Sequence, residues 1–164
     1  MSLVIADAGP LIALSRIERL ELLKTLFNKV VITDTIRDEV LDNRHERGKT
    51  PVRNAIETGW ISVIAVDQGN WKPINPGVDA GESSAIFLAR QSPDSTLLIM
   101  DDQAGRAEAR YHHLAVIGVA AVIGIARERG LINSAKDLLN EMRHAGYYIG
   151  ESVIEVILKE IGEI

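Results

Sequence analysis

Five acidic residues stand where a carboxylate could bind a divalent cation: Asp7, Glu39, Glu82, Asp101 and Asp102. Asp7 ends one apolar run, the Asp101–Asp102 pair ends another, and the two glutamates fall near predicted helix starts. Carboxylate oxygens select hard cations such as Mg²⁺ or Mn²⁺, and crowded carboxylates repel one another unless cations bridge them. Such a site suits hydrolysis of a phosphodiester, because the metal acidifies a water and stabilises the leaving oxygen.

Most of these acids also have an ordinary structural explanation. Asp7 could serve a turn before Gly9, and Glu39 could be a solvated charge on a helix surface. An aspartate after a strand often caps the next helix, but one acid suffices for that task. The adjacent acids Asp101 and Asp102 repel each other, so the second one indicates a further role.

Glu82 is the most informative of the five acids. With Asp79 as N-cap it occupies the third helical position, where a capping box favours glutamate. It also shares a helix face with Ala85, Ile86 and Ala89, a face that should point into the core. We therefore expect its carboxylate to face the end of the sheet rather than bulk water.

Three other side chains invite a functional interpretation. Arg106 follows Asp102 by four residues, so it could form a helical ion pair or clamp a phosphate at the pocket mouth; we favour the clamp. Trp71 lies in a polar loop and could stack on a nucleobase. His112, at a predicted helix end, fits the helix dipole better than a metal site.

Short apolar runs alternate with helical patterns along the chain. The predicted strands are 3–6, 29–32, 60–66, 96–100 and 115–117. Helices are predicted after Ser15, Thr33 or Asp34, Thr50-Pro51 and Ser134, and over 80–91, 103–112, 120–128 and 151–161. Gly9-Pro10 is expected to interrupt the chain, and 43–49 to form a loop. The alternation predicts an α/β fold, a three-layer α/β/α sandwich around a five-stranded, mainly parallel sheet with a C-terminal helical extension.

Length and composition indicate a single domain over 1–164, with an α/β core at 1–128 and a helical tail at 129–164. The absence of cysteine excludes disulfides and thiolate metal ligands. A net charge of −5 is unusual for a nucleic-acid binder, but the five candidate acids account for all of it. The start of the chain does not resemble a secretory signal and no apolar stretch suits a membrane span, so we expect a cytoplasmic protein without membrane contact.

The segments that carry these acids resemble the PIN-domain family. They are VIADAGPLIAL (4–14), VVIT (30–33) leading to Glu39, GESSAI (81–86), and LLIMDD (97–102) followed by GRA (105–107). The resemblance covers about residues 1 to 125. Within the family, the sequence is similar to the toxins of VapBC toxin–antitoxin pairs. It implies a Mg²⁺- or Mn²⁺-dependent endoribonuclease, often a homodimer, whose site is blocked by a small antitoxin protein.

By position, the resemblance assigns metal binding to Asp7, Glu39 and Glu82, with Asp102 as the last acid and Asp101 before it. This sequence departs from the family pattern at Glu82, where aspartate is common, and in a charged, irregular region after the second strand's helix. An alternative is a catalytically silent PIN-like module that binds RNA or a partner protein. Receiver-type and haloacid-dehalogenase-type domains are disfavoured, because the lysine and the Asp-x-Asp motif that they need are missing.

Overall fold

The computed structural model describes residues 2–42 and 46–164, and for residues 46–48 it describes the backbone only. The strands are β1 (Leu3–Ala6), β2 (Val30–Thr33), β3 (Ile61–Ile64), β4 (Thr96–Ile99) and β5 (Ala115–Ile117). The helices are α1 (Ala8–Arg16), α2 (Glu21–Phe27), α3 (Asp34–Val40), α4 (Glu46–Thr58), α5 (Ala80–Ala89), α6 (Gln103–Tyr111), α7 (Val119–Glu128), α8 (Ala135–His144) and α9 (Glu151–Glu160). A short 3₁₀ turn, Pro93–Ser95, precedes β4.

The five strands form one sheet in the order β3-β2-β1-β4-β5, and every pairing is parallel. The central strand β1 places Ile5 opposite Val31 of β2 on one side and opposite Leu98 of β4 on the other. The predicted α/β fold with a five-stranded sheet is therefore confirmed.

Burial explains why the central strands read as continuous apolar runs. All four residues of β2 are buried, as are three of the four in β1 and in β4. A strand that is buried on both faces needs helices on both sides of the sheet, which is the three-layer arrangement. On one face α5 contacts β1, β2 and β4, and its buried residues Ala85, Ile86 and Ala89 form the predicted apolar stripe.

The first helix begins earlier than the sequence predicted. Gly9 and Pro10 do not interrupt the chain but lie in the first turn of α1, which starts directly after Asp7. Proline is tolerated there because its missing N–H would have no partner within the helix. Ser15 is buried inside α1 and caps no helix, so the helix start predicted at this position was wrong.

The helix α4 also begins before the predicted position. Residues 46–49 were expected in a loop but belong to α4, and Pro51 lies inside that helix rather than at its start. The rest of the predicted loop, 43–45, lies outside the described residues. Val52 and Ala55 are buried, and α4 packs against α1, so tertiary packing outweighs the local cost of the proline.

The helices α7, α8 and α9 pack against one another, and α8 also contacts α1. Ser134 caps α8 as predicted, since its hydroxyl accepts a hydrogen bond from Asp137 N at 3.1 Å. Within residues 2–42 and 46–164, no helix is long and apolar enough to cross a bilayer.

Candidate active site

The acidic residues meet where the order of the strands reverses. From β1 the chain moves outward through β2 and β3, then returns to add β4 on the opposite side of β1. The Asp7 backbone N–H donates to Ile99 O at 2.9 Å, which fixes the end of β1 beside the end of β4. In parallel sheets this reversal opens a crevice beyond the carboxyl ends of the strands, and ligands bind there.

Two buried hydroxyl groups hold the glutamate-bearing helices α3 and α5 together. Thr33 caps α3 by accepting from Ile36 N at 3.1 Å, and its oxygen lies 2.7 Å from the Ser84 hydroxyl. Ser84 donates its own proton to Gly81 O at 2.7 Å, so the proton shared with Thr33 comes from the threonine. This chain of bonds fixes the start of α3 against the first turn of α5.

Gly81 leaves the space in which two of the acids approach each other. A β-carbon built at position 81 would lie 2.9 Å from Oε2 of Glu39 and 3.6 Å from Oδ1 of Asp7. Both carboxylates therefore face the same glycine. The structure brings Asp7 and Glu39 together across α5, although they are 32 residues apart in the sequence.

Glu82 extends into the crevice from the next position of α5. Its side chain is only 4 % exposed, and Oε2 is buried without a hydrogen-bond partner among the described residues. That oxygen would lie 2.8 Å from a β-carbon at Gly105, in the first turn of α6. A buried, unsatisfied carboxylate oxygen is costly, and a bound cation is one partner that would satisfy it.

The electrostatics of the crevice favour protonated or metal-bound carboxyl groups. Burial raises the pKa of Asp7 from 3.8 to about 7, and the charges of Asp79, Glu39 and Asp101 add to the effect. Burial also raises the pKa of Glu82 from 4.5 to about 9, with contributions from the charges of Asp79, Asp7 and Asp102. A bound cation would favour the ionised form of both carboxyl groups, since metal binding displaces protons from its ligands.

The two acids after β4 have different surroundings. Asp102 caps α6, where it accepts from Gly105 N at 3.1 Å, and its charge acts on Glu82. Asp101 accepts from Val119 N at 2.8 Å and from the Tyr147 hydroxyl at 2.5 Å. The structure thus brings Asp7, Glu39 and Glu82 together and places both strand-end acids near them, since the charge of Asp101 acts on Asp7 and that of Asp102 acts on Glu82.

Sequence reasoning assigned no site role to two residues that belong here. Asp79 was predicted only as a helix cap, and its carboxylate does accept a hydrogen bond from Glu82 N at 2.8 Å. Among the carboxylates, its charge also raises the pKa values of Asp7 and Glu82 the most. Tyr147 lies in the tail and carries no local signal. The position of Asp79, immediately before the helix of Glu82, could have indicated its proximity.

Arg106 lines a groove that opens beside Asp101. The groove has a volume of about 450 Å³; its other lining includes Arg110 and the apolar side chains of Val116, Val153 and Val156. Among the described residues, Arg106 has no ion-pair partner within 4.0 Å, so the helical pair with Asp102 does not form. Burial raises the pKa of Asp101, and the charge of Arg106 opposes that shift.

Trp71 and His112 both make contacts within the fold. The Trp71 ring lies 5.7 Å from the Phe87 ring and 5.8 Å from the His112 ring, and the Arg90 guanidinium lies 5.0 Å from its centroid. These contacts pack part of the half-exposed ring against the fold, and the suggested base-stacking role of Trp71 stays a prediction. His112 Nε2 lies 2.6 Å from Glu108 Oε2, which accounts for the imidazole without a metal.

The donor set fits a hard divalent cation. Within residues 2–42 and 46–164, no three acidic or histidine side chains already stand in ligating geometry. However, the acids that meet there offer carboxylate oxygens, one of them buried and unpartnered among the described residues, and burial disfavours the ionised forms of Asp7 and Glu82. Oxygen-only donors with excess negative charge suit Mg²⁺ or Mn²⁺.

Comparison with known proteins decides the family. The family DUF3368, a PIN domain, matches residues 3–163. The chain belongs to the PIN domain family. PIN domains are generally nucleases, so the acidic crevice lies in a nuclease fold.

One solved PIN-like structure supports the fold. It is a PilT N-terminus domain protein, SSO1118, from the hyperthermophilic archaeon Sulfolobus solfataricus P2. The two chains share 19 % identity with a TM-score of 0.55, over 73 % of this PIN domain and 89 % of the archaeal chain. No curated protein matches the sequence.

Proposed function

We propose that this PIN domain is a divalent-metal-dependent endoribonuclease that hydrolyses phosphodiester bonds of RNA. The observation that carries the proposal is the unpartnered Oε2 of Glu82, buried beside Asp7 in a crevice lined by carboxylates. Ionising these clustered, buried carboxyl groups is costly in the metal-free protein, and a bound cation would offset that cost. Asp7, Glu39, Glu82 and Asp102 would hold Mg²⁺ or Mn²⁺.

When bound, the cation supplies an acidified water and stabilises negative charge on the phosphate oxygens. The chain supplies the remaining requirements. Buried α5 and the Thr33–Ser84 hydrogen bond hold Glu39 and Glu82 in place. Arg106 and Arg110 line the neighbouring groove and can orient the phosphates of an RNA strand.

Cleavage of a fluorophore-quencher RNA in Mg²⁺ or Mn²⁺ tests the proposal. We expect wild-type activity that EDTA abolishes and that Asp7→Asn reduces by at least about a hundredfold, as for loss of a group that stabilises developing charge. Asp94→Asn is the matched control, since Asp94 is exposed in the 3₁₀ turn away from the crevice. Activity that persists in Asp7→Asn and in EDTA would reject the mechanism; RNA binding without cleavage would favour a silent PIN-like module.

We further propose that the protein is the toxin of a toxin–antitoxin pair and acts as a homodimer. The support is the Asp-Asp-x-x-Gly-Arg segment at 101–106, together with exposed apolar side chains beside the crevice, Val153 and Val156, that a small antitoxin could cover. Expression of the wild type should arrest growth, while Asp7→Asn should not. Co-expression of a small protein encoded next to this chain should relieve the arrest, and light scattering of the purified chain would report its oligomeric state.

A further inference from the structure

The C-terminal tail contributes one side chain to the edge of the acidic crevice. Tyr147 lies between α8 and α9, is partly buried, and packs against the hydrophobic core. Its hydroxyl donates to Oδ2 of Asp101 at 2.5 Å, across 46 residues of sequence. The next residue, Tyr148, is 85 % exposed, so burial distinguishes the two adjacent tyrosines sharply.

Asp101 is held at both carboxylate oxygens. While Oδ2 accepts from Tyr147, Oδ1 accepts from Val119 N at 2.8 Å, the first N–H of α7. The positive charge of Arg106 also acts on this carboxylate. Because each oxygen already accepts a hydrogen bond, Asp101 cannot turn toward Glu82 without losing one of them.

Gly9 leaves the space that the Tyr147 hydroxyl occupies. A β-carbon at position 9, in the first turn of α1, would lie only 2.9 Å from that hydroxyl oxygen. The phenol therefore fits between the helix that follows Asp7 and the acid that follows β4. Any larger residue at position 9 would push the end of the tyrosine away from Asp101.

We propose that Tyr147 is a positioning residue of the acidic site, whose hydroxyl holds Asp101 against the start of α7. Asp101 is then an anchor beside the crevice, and Asp102 is the strand-end acid left for the cation. The metal-related part of this inference rests on the proposed function. Loss of the hydroxyl frees one oxygen of Asp101, so the carboxylate can turn and disturb the neighbouring acids.

The matched pair Tyr147→Phe and Tyr148→Phe tests the inference. Without RNA, we expect Tyr147→Phe to weaken Mn²⁺ binding by about tenfold, the usual effect of losing a group that orients metal ligands. In RNA cleavage, kcat should fall at limiting Mn²⁺ and recover at excess Mn²⁺, with KM for RNA unchanged. Tyr148→Phe should match the wild type, and equal behaviour of the two variants would overturn the inference.

Two further variants identify the route of the effect. In an Asp101→Asn background, where the amide can still accept from Val119 N, Tyr147→Phe should have no additional effect on Mn²⁺ affinity. Gly9→Ala should reproduce Tyr147→Phe, because the added methyl displaces the hydroxyl. Independent, additive losses from Tyr147→Phe and Asp101→Asn would show that the tyrosine does not act through this carboxylate.

A metal-free measurement separates this inference from the proposed function. The Tyr147 hydroxyl proton should give a downfield, slowly exchanging NMR signal that disappears in Tyr147→Phe and shifts in Asp101→Asn. If that signal is present but wild-type protein neither binds Mn²⁺ nor cleaves RNA, the anchor stands and the proposed function fails. If the signal is absent, the positioning role of Tyr147 is wrong, whatever the protein cleaves.

Discussion

Oε2 of Glu82 lies so close to Gly105 that a β-carbon there would approach it to 2.8 Å. The same β-carbon would come within 2.6 Å of the Met100 sulfur. Gly105 is buried in the first turn of α6, directly above the crevice. The missing side chain at this position thus makes room for the central acid of the site.

Gly105→Ala should destabilise the protein. In an ordinary helix the substitution would stabilise by up to about 1 kcal/mol, because alanine has the higher helix propensity. Here the methyl group overpacks a filled site, and we expect a net loss of about 1–3 kcal/mol in the free energy of unfolding. Urea denaturation measures the change. Gln103→Ala, at an exposed position on the same turn, serves as the control. A gain in stability for Gly105→Ala would show that the site has room for a methyl group.

The metal-free protein should lose stability as the pH rises through neutrality. The folded-state pKa of Asp7 is raised from 3.8 to about 7, so the folded protein binds a proton that the unfolded chain releases near pH 4. The free energy of unfolding therefore falls as the pH rises from about 4 to about 7, where Asp7 ionises in the folded protein. Ionisation of Glu82, with its pKa of about 9, continues the fall at higher pH. Asp7→Asn should remove part of this slope and be more stable than wild type at pH 8, by about 1–3 kcal/mol after allowance for relaxation.

Thermal melts in EDTA from pH 5 to pH 9 measure this dependence. Asp94→Asn, which changes the same charge at an exposed position, should follow the wild type. A wild-type melting temperature that is flat across this range, or an Asp7→Asn variant that loses stability at pH 8, would show that the crevice does not disfavour ionised carboxylates.

Arg106→Ala should weaken the interaction with RNA more than the chemical step. The guanidinium lines the groove beside Asp101 and has no ion-pair partner within the described residues. Removing one phosphate contact should raise KM several-fold and reduce the slope of log affinity against log salt by about 1. Binding titrations at several salt concentrations measure this slope. Arg53→Ala, on the exposed side of α4, is the control. Identical salt slopes for Arg106→Ala and Arg53→Ala would argue against a phosphate contact.

Glu108→Ala should release the loop before α5 from α6. The buried Glu108 carboxylate accepts from Ile74 N at 3.1 Å and from Asn75 N at 2.8 Å, and it also pairs with His112. Removing it leaves two backbone donors unpaired, which should cost about 1–3 kcal/mol at pH 7. Chemical denaturation measures the loss, with the exposed Glu57→Ala as the reference.

The pH dependence of the Glu108 contribution should be opposite to that of Asp7. Burial alone would raise the pKa of Glu108, but the hydrogen bonds from Asn75, Ile74 and His112 lower it below its ordinary value of 4.5. Its stabilising effect is therefore present above the unfolded-state pKa and is lost as the pH falls through the folded-state pKa. The stability difference between wild type and Glu108→Ala should shrink in acid, and a difference that grows there would contradict the assignment.

Much of the fold, and the grouping of the strand-end acids with Glu82, could be predicted from the chain alone. Apolar runs that end in Asp7 and Asp101 indicate parallel strands, and carboxyl ends of parallel strands meet at one edge. The pattern at Glu82 likewise predicts an inward-facing acid, because helical periodicity fixes which residues share a face. These inferences succeed since they depend on local periodicity and on the geometry common to all parallel sheets.

Local patterns misled where packing over a distance decides the outcome. Pro10 and Pro51 read as helix boundaries, yet both lie within helices whose apolar faces are buried. Trp71 reads as a free ring in a polar loop, but its ring packs against Phe87 and His112. For Pro51 and Trp71 the burial of apolar surface outweighs a weak local preference, whereas Pro10 lies in a first turn, where proline breaks no helical hydrogen bond.

The sequence by itself determined the composition of the crevice: oxygen ligands without cysteine, placed after strands and at helix starts. Only the tertiary structure decided the orientation of the adjacent acids, with Asp102 near Glu82 and Asp101 held by Tyr147 and the first N–H of α7. The physical reason is that residue type and spacing fix where a side chain begins. Its final direction depends on hydrogen-bond partners from distant segments, which no local pattern contains.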